Sequence, residues 1–397
     1  MVKTSNVVVV GAGVVGCSVA YYLAAQGIKV TLFEKESIGS GASAHATGSL
    51  SLLGAEFAPG PSFQLALTGF REFPDLVKSL EAATGMDLLY QRRPSLRLAL
   101  DAEEEELIKG MMPWQQDSVA MRWIDASEVH RMEPRLTSQI RGAVYENESA
   151  QLDSYRLNLA LARAAELKGA DIQLREVTGL VGEGRVSAVK TASGEHPCDA
   201  VVAAAGTWSH AFEEWLGYPV PVRPLKGERL LLRYRGDPLP VLISSPKRGH
   251  MISRLDGLLS VGSTGGRDYD QEDLFWGEEF DRRPTEGAKV ELLQRAIDVF
   301  PALLEEAELV QQLAGSRPLS PDRQPIIGPV PGWENVILAT GHTTKGIHLG
   351  PITGRIIAEY LLNGPTNLSV DLEAFLPSRF SNLAPADYYA SGQTVEE

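Results

Sequence analysis

Short β-branched runs alternate with longer apolar-periodic stretches along most of the chain. Val7 to Val10 is continuously apolar and reads as a buried parallel strand. Val14 to Ala25 reads as a helix, and KVTLFEK as a second strand that delivers Glu34 at its end. A helix is predicted over Ser62 to Ala83, then a β-rich RRPSLRLAL, then the helical DAEEEELIKG, whose acidic run Asp101 to Glu106 reads as a solvated face. Asp153 is a candidate N-cap for SYRLNLALARAAELKG, with Leu157, Leu161 and Ala164 as its apolar stripe and Gly169 at its end. ADIQLREVTGL, RVSAVKTASGE and DAVVAAAGTWS read as successive strands. KGERLLLRYR, GHMISRL and GLLSVGSTG alternate in strand fashion and suggest an antiparallel sheet. The helix AKVELLQRAIDVFP follows, then the buried strand VILATG and a helix opening at Pro351 and running to Leu362.

No charged residue falls between Val7 and Ala25, which raises three readings. About 20 apolar residues can span a bilayer. A secretory signal would use Lys3 as its basic start. The third reading is a strand, turn and helix of a nucleotide-binding fold, and the glycines favour it. Gly11, Gly13 and Gly16 have the spacing G-x-G-x-x-G between strand and helix, and Glu34 lies where the fingerprint needs an acid. Gly11 makes the tight turn, Gly13 lets backbone approach a pyrophosphate, and Gly16 lets helix and strand pack closely. The helix N-terminus offers N–H groups to phosphate, and Glu34 is placed to accept from ribose hydroxyls.

Composition narrows the classes. A chain of 397 residues suits two domains or one large interleaved unit. A net charge of −14 disfavours nucleic acid and anionic membrane surfaces. Cys17 and Cys198 are too few and too far apart for a metal site or a disulfide framework. No other segment looks like a membrane span, and a reducing cytoplasm is the expected compartment.

VVVVGAGVVG, the segment Ser40 to Ser43, VVAAAGTWS, PLKGERL, GSRPLSPDRQPIIG and ATGHTTKG together resemble the flavin-dependent amino acid oxidase family: glycine oxidase, D-amino acid dehydrogenase, sarcosine oxidase and dimethylglycine dehydrogenase. The resemblance covers nearly the whole chain. It implies an α/β fold: a Rossmann-type FAD-binding domain interleaved with an α+β substrate domain that contains a large antiparallel sheet. The expected division is 1–85, 150–218 and 311–397 for FAD, with 86–149 and 219–310 for substrate. The implied cofactor contacts are Gly11, Gly13, Val14, Val15, Gly16, Glu34, Lys35, Ser40, Gly41, Ala42, Ser43, His45, Ala46, Thr47, Gly48 and Val177. Further along they are Ala205, Gly206, Trp208, Gly315, Arg317, Gly341, His342, Thr343, Thr344, Lys345 and Gly346. His45 stands where some relatives join flavin covalently to histidine, so both a covalent link and a plain contact are open.

For substrate, the resemblance implies that Arg317 holds a carboxylate, which a guanidinium fork suits. A structural pair with Asp322 is the alternative. Lys345 matches a G-H-x-x-K carboxylate clamp of sarcosine oxidases. His250 stands about where glycine oxidases carry an active-site tyrosine. His342 is read as positioning flavin or water, and His130, His196, His210 and His348 have no motif context. The implied activity is oxidation of the C–N bond of a small amino acid (glycine, N-methylated glycine, a D-amino acid or a proline-like one). Hydride passes to flavin N5, and the imine hydrolyses. The rivals are a flavin-dependent 2-hydroxy acid dehydrogenase and the flavoprotein subunit of a heteromeric amino acid dehydrogenase. Oxygen, a quinone or an electron-transfer protein would be the acceptor. No metal is expected, and a homo- or hetero-oligomer is open.

Overall fold

The computed structural model describes residues 5–53, 57–263, 282–364, 370–384 and 388. Lys3 and the tail of GLLSVGSTG, Thr264 and Gly265, lie outside the described residues. The opening apolar stretch is a strand, Asn6–Val10, and a separate helix, Val14–Ala25. At 1.5 Å per residue that helix is about 18 Å long, short of a bilayer. Among the described residues no helix is long and apolar enough to cross a membrane.

Asn6–Val10 is central in a six-stranded sheet. The order is Ile326–Pro329, Val336–Thr340, Ala200–Ala203, Asn6–Val10, Lys29–Glu34, Asp171–Leu174. The neighbours are parallel except the edge strand Ile326–Pro329. Val7 to Val10 are buried on both faces, as a doubly covered parallel strand must be. Helix Val14–Ala25 is apolar nearly all round because Ser154–Leu167 and Gly346–Asn363 pack against it. The second crossing is close: a Cβ on Gly354 would come within 2.5 Å of Ser18 Cβ, and one on Gly350 within 2.9 Å of Val14 Cγ1. Asp153 caps Ser154–Leu167, accepting from Arg156 N at 2.8 Å, and Leu157, Leu161 and Ala164 are buried beneath it.

A second sheet has eight strands, in the order Ala307–Leu319, Arg223–Tyr234, Leu259–Gly262, Gly249–Ser253, Leu242–Ser245, Ser95–Ala99, Gly142–Glu146, Met121–Asp125. Its one parallel contact joins Leu242–Ser245 to Ser95–Ala99. Strand Ala307–Leu319 runs across the expected boundary at 310, because it pairs along Arg223–Tyr234 from Tyr234 to Arg223. The far side of this sheet buries its own core, including Leu230, Leu232, Met251, Val261, Leu292 and Phe300.

Two local expectations need correction. The last long helix begins at Gly346, not at Pro351. The tight turn Thr343–Lys345 leads straight into helical geometry, so Pro351 sits inside the helix and forgoes one bond to the Ile347 carbonyl. The acidic run is not a solvated face throughout. Asp101 caps helix Ala102–Gln115 through Glu104 N at 2.9 Å, but the Glu104 side chain is fully buried.

Candidate active site

The carboxyl ends of the six-stranded sheet and one face of the eight-stranded sheet bound a cavity of about 430 Å³, within the range of small-molecule sites. A crevice at the carboxyl ends of parallel strands is where open α/β sheets bind ligands.

At one end the wall is backbone. Gly11 has φ 105°, and a Cβ there would lie 2.4 Å from the Ala204 carbonyl oxygen. Gly13, Val14 and Val15 put the helix N-terminus on the wall, and Ser43 Oγ accepts from Val14 N at 2.9 Å. Glu34 reaches the rim with its carboxylate held by Ala12 N at 2.8 Å and Glu36 N at 2.9 Å. Two cations lie near the Trp208 ring, Lys35 Nζ 4.2 Å and the Arg282 guanidinium carbon 5.1 Å from its centroid. Arg282 also ties Glu36 at 2.7 Å and the Ser40 carbonyl at 3.3 Å. Ser40, Gly41, Ala42, Ala46, Thr47, Gly48, Val177, Ala205 and Gly206 complete this part of the wall. His45 is on it too, its Nδ1 buried with no hydrogen-bond partner among the described residues.

At the other end the register of the eight-stranded sheet builds the site. Arg229 is opposite Gly262, Gly262 opposite His250, His250 opposite Ser244, and Ser244 opposite Arg97. Laterally paired residues share a face, so this row from five strands faces the cavity together. Gly227 and Gly315 are likewise paired, and Arg317 lies two residues beyond Gly315 on the same face. Burial, then the positive charges of Arg317 and Arg229, push the His250 imidazole down to about 3. Its Nε2 has no partner among the described residues. Arg229 is held by the His45 carbonyl at 2.8 Å and Ser260 Oγ at 3.1 Å. Burial lowers it to about 10, so it stays cationic at neutral pH.

The structure separates some expected site residues from the rest. Gly16 is off the wall: a Cβ there would lie 1.8 Å from the Gly11 carbonyl oxygen, so it serves helix–strand contact. Gly341, φ 72°, packs against Ile326 behind the wall. Lys345 does not line the cavity. It is 7% exposed, with Nζ 5.4 Å from the Phe57 ring centroid. Asp322 is bound by Arg379 at 2.7 Å. Val177, Thr343, Thr344 and Gly346 line the cavity.

Arg97, Ser244 and Arg229 face the cavity although the sequence reading gave none of them a role. Period-two reading of KGERLLL held the signal for one: it sets Gly227 and Arg229 on one face and Leu230 and Leu232 on the other. Arg97 and Ser244 join them only through strand pairing. His348 also lines the cavity, 5% exposed, edge-on to Phe57 at 5.7 Å between centroids.

Glu104 acts at a distance from the wall. It accepts from Leu100 N at 2.8 Å, Ser245 Oγ at 2.6 Å and Lys247 N at 2.9 Å, and pairs Arg248 at 3.1 Å. It therefore grips the hairpin between Leu242–Ser245 and the strand carrying His250. Glu104→Ala strands several buried donors and a cation, and should cost about 3 kcal/mol or more. Thermal melting against wild type checks this, and a shift under 1 °C would refute the grip.

His342 and His348 give the fold an acid sensitivity. Both are lowered from 6.5 to about 4, chiefly by burial, with Lys345 adding to the effect on His348. His342 Nε2 meets Thr353 Oγ1 at 3.0 Å. Between these values the unfolded chain binds protons that the folded chain does not. Stability is therefore expected to fall as pH drops from about 6.5 towards 4. Melting temperatures across that window should decline less steeply in His342→Gln.

The class follows from comparison. The chain belongs to the FAD dependent oxidoreductase (DAO) family, whose model matches residues 6–360. It is 31% identical over 387 residues to the glycine oxidase of Geobacillus kaustophilus strain HTA426, covering 96% of this chain and 98% of that protein. Its fold matches the solved glycine oxidase of Geobacillus kaustophilus with a TM-score of 0.86 at 29% identity, over 95% of this chain and 99% of that one. It also matches iminodiacetate oxidase from Chelativorans sp. BNC1, with a TM-score of 0.83 at 26% identity, over 94% and 98% of the two chains. The protein is thus an FAD-dependent oxidoreductase.

The residues present fit that cofactor. The wall at Gly11 has no room for a side chain, a helix N-terminus opens beside it, and a carboxylate stands at the end of the next strand. These are the contacts that pyrophosphate and ribose require.

Proposed function

We infer that this flavoenzyme oxidises the C–N bond of a small amino acid: glycine, an N-methylated glycine, a D-amino acid or a proline-like one. The observation that carries the reading is Arg317. It lies on the cavity-facing side of the sheet beside a neutral histidine. The names of the similar glycine and iminodiacetate oxidases support it.

FAD, when bound, supplies the acceptor for hydrogen from the carbon next to nitrogen. The remaining work falls to the chain. Arg317 binds the substrate carboxylate through a guanidinium fork and so fixes which C–H bond faces the cofactor. Arg317 and Arg229 disfavour an ammonium in their vicinity, so the substrate amine reacts uncharged. His250, neutral through the working range, offers Nε2 to that amine. Water outside the cavity hydrolyses the imine.

The test is the flavin's visible absorbance during anaerobic mixing with glycine, sarcosine, dimethylglycine, D-alanine, D- and L-proline and 2-hydroxyglutarate. Bleaching by one or more amines is expected. Bleaching by the hydroxy acid alone would transfer the reading to hydroxy acid oxidation. No bleaching by any member of the panel would refute the proposal for the isolated chain and favour a subunit role.

A further inference from the structure

We propose that Gly227 is a positioning residue, the seat on which the Arg317 guanidinium is held. This rests on the reading of Arg317 as the carboxylate anchor.

Gly227 lies in the interior of strand Arg223–Tyr234, paired with Gly315. Glycine weakens a strand interior, because it costs backbone entropy and packs no side chain. Its backbone does not call for it: among the described glycines with left-handed torsions, Gly227 is absent. The reason lies across the strand pair. A Cβ at 227 would come 2.2 Å from Arg317 Cζ and 2.3 and 2.4 Å from its two terminal nitrogens. These near-equal distances mean that the guanidinium meets the strand with its face rather than its edge. Its N–H groups lie in that plane, so they run along the sheet floor rather than into it.

The opposite glycine completes the arrangement. A Cβ on Gly315 would meet His45 Cβ at 3.0 Å and Ala42 Cα at 3.3 Å. One member of the pair thus admits the arginine and the other admits the segment on the cofactor side of the cavity. Together they set how near the carboxylate anchor stands to that segment. An alanine at 227 would lift the guanidinium off the floor while leaving the charge in place.

The experiment is a double-mutant cycle on the holoenzyme with Gly227→Ala, Arg317→Ala and both. It reads the affinity for acetate from the perturbation of the flavin absorbance, with FAD content and melting temperature as controls. Gly227→Ala is expected to weaken acetate at least 10-fold in the wild-type background and not at all in the Arg317→Ala background. KM for the amine substrate should rise by more than kcat falls. Unchanged acetate binding in Arg317→Ala would overturn the anchor reading and the inference together. Weakened binding in Arg317→Ala with wild-type binding in Gly227→Ala would overturn the inference alone, as would equal loss in both backgrounds. If Gly227→Ala does not fold, the double variant decides. Recovered FAD content on removing the guanidinium supports the seat, and continued failure refutes it.

Discussion

Arg317→Ala is expected to lower kcat/KM for the amine substrate by about 100-fold, mostly through KM. A charge-assisted hydrogen bond contributes roughly 1.5–3 kcal/mol, and a bidentate pair adds orientation to that. The upper part of that range applies because the site faces a cavity rather than bulk water. Arg229 keeps its charge but cannot supply the same fork, since its Nε and Nη1 are committed to His45 and Ser260. Lys345 cannot either, being directed at Phe57 off the wall. Arg317→Lys keeps the charge but loses the fork, so it should recover only part of the affinity. Steady-state kinetics with the best substrate from the anaerobic panel measures this. A fall of less than about threefold in kcat/KM would show that the carboxylate is held elsewhere. Flavin content should be as in wild type, which separates a substrate effect from a cofactor effect.

Gly16→Ala should have the larger consequence: purified protein with little or no FAD and a loss of stability above about 3 kcal/mol. The new methyl would lie 1.8 Å from the Gly11 carbonyl oxygen and 3.0 Å from its carbon. Both atoms are backbone, so no side chain can swing away. Relief requires the helix Val14–Ala25 to move off the strand, and that movement carries the Gly11–Gly13 turn with it. Overpacking at a rigid contact costs 1–3 kcal/mol and more where nothing yields. Gly110→Ala is the control. It lies in helix Ala102–Gln115 with nothing within 4 Å of an added Cβ, and alanine is the better helix former, so no loss is expected there. Flavin-to-protein absorbance ratios and melting curves of the two variants check the pair. A Gly16→Ala protein with full FAD would show that the contact can open.

What could be read without the fold is local. The β-branched run at Val7, the glycine spacing, the acid at Glu34 and the cap at Asp153 each act within a few residues, so strand, turn and helix were legible from order alone. The period-two segments predicted the antiparallel sheet for the same reason. Resemblance brought Arg317 and the Ser40 to Gly48 segment to the cavity, and the structure places them on its wall.

Other features depended on partners distant in sequence. A run of glutamates looks the same whether solvated or not, and Glu104 is buried only because the hairpin at Ser245 and Lys247 closes over it. Lys345 satisfied a spacing rule, but only the fold shows that its side chain is buried over Phe57 and not on the cavity wall. The row Arg97, Ser244, His250, Gly262 and Arg229 draws on strands from opposite ends of the middle of the chain. Sequence determined which residues can form a strand and which face they share within it. Only strand register, set by pairing and burial of the whole sheet, decided which of those faces became the site.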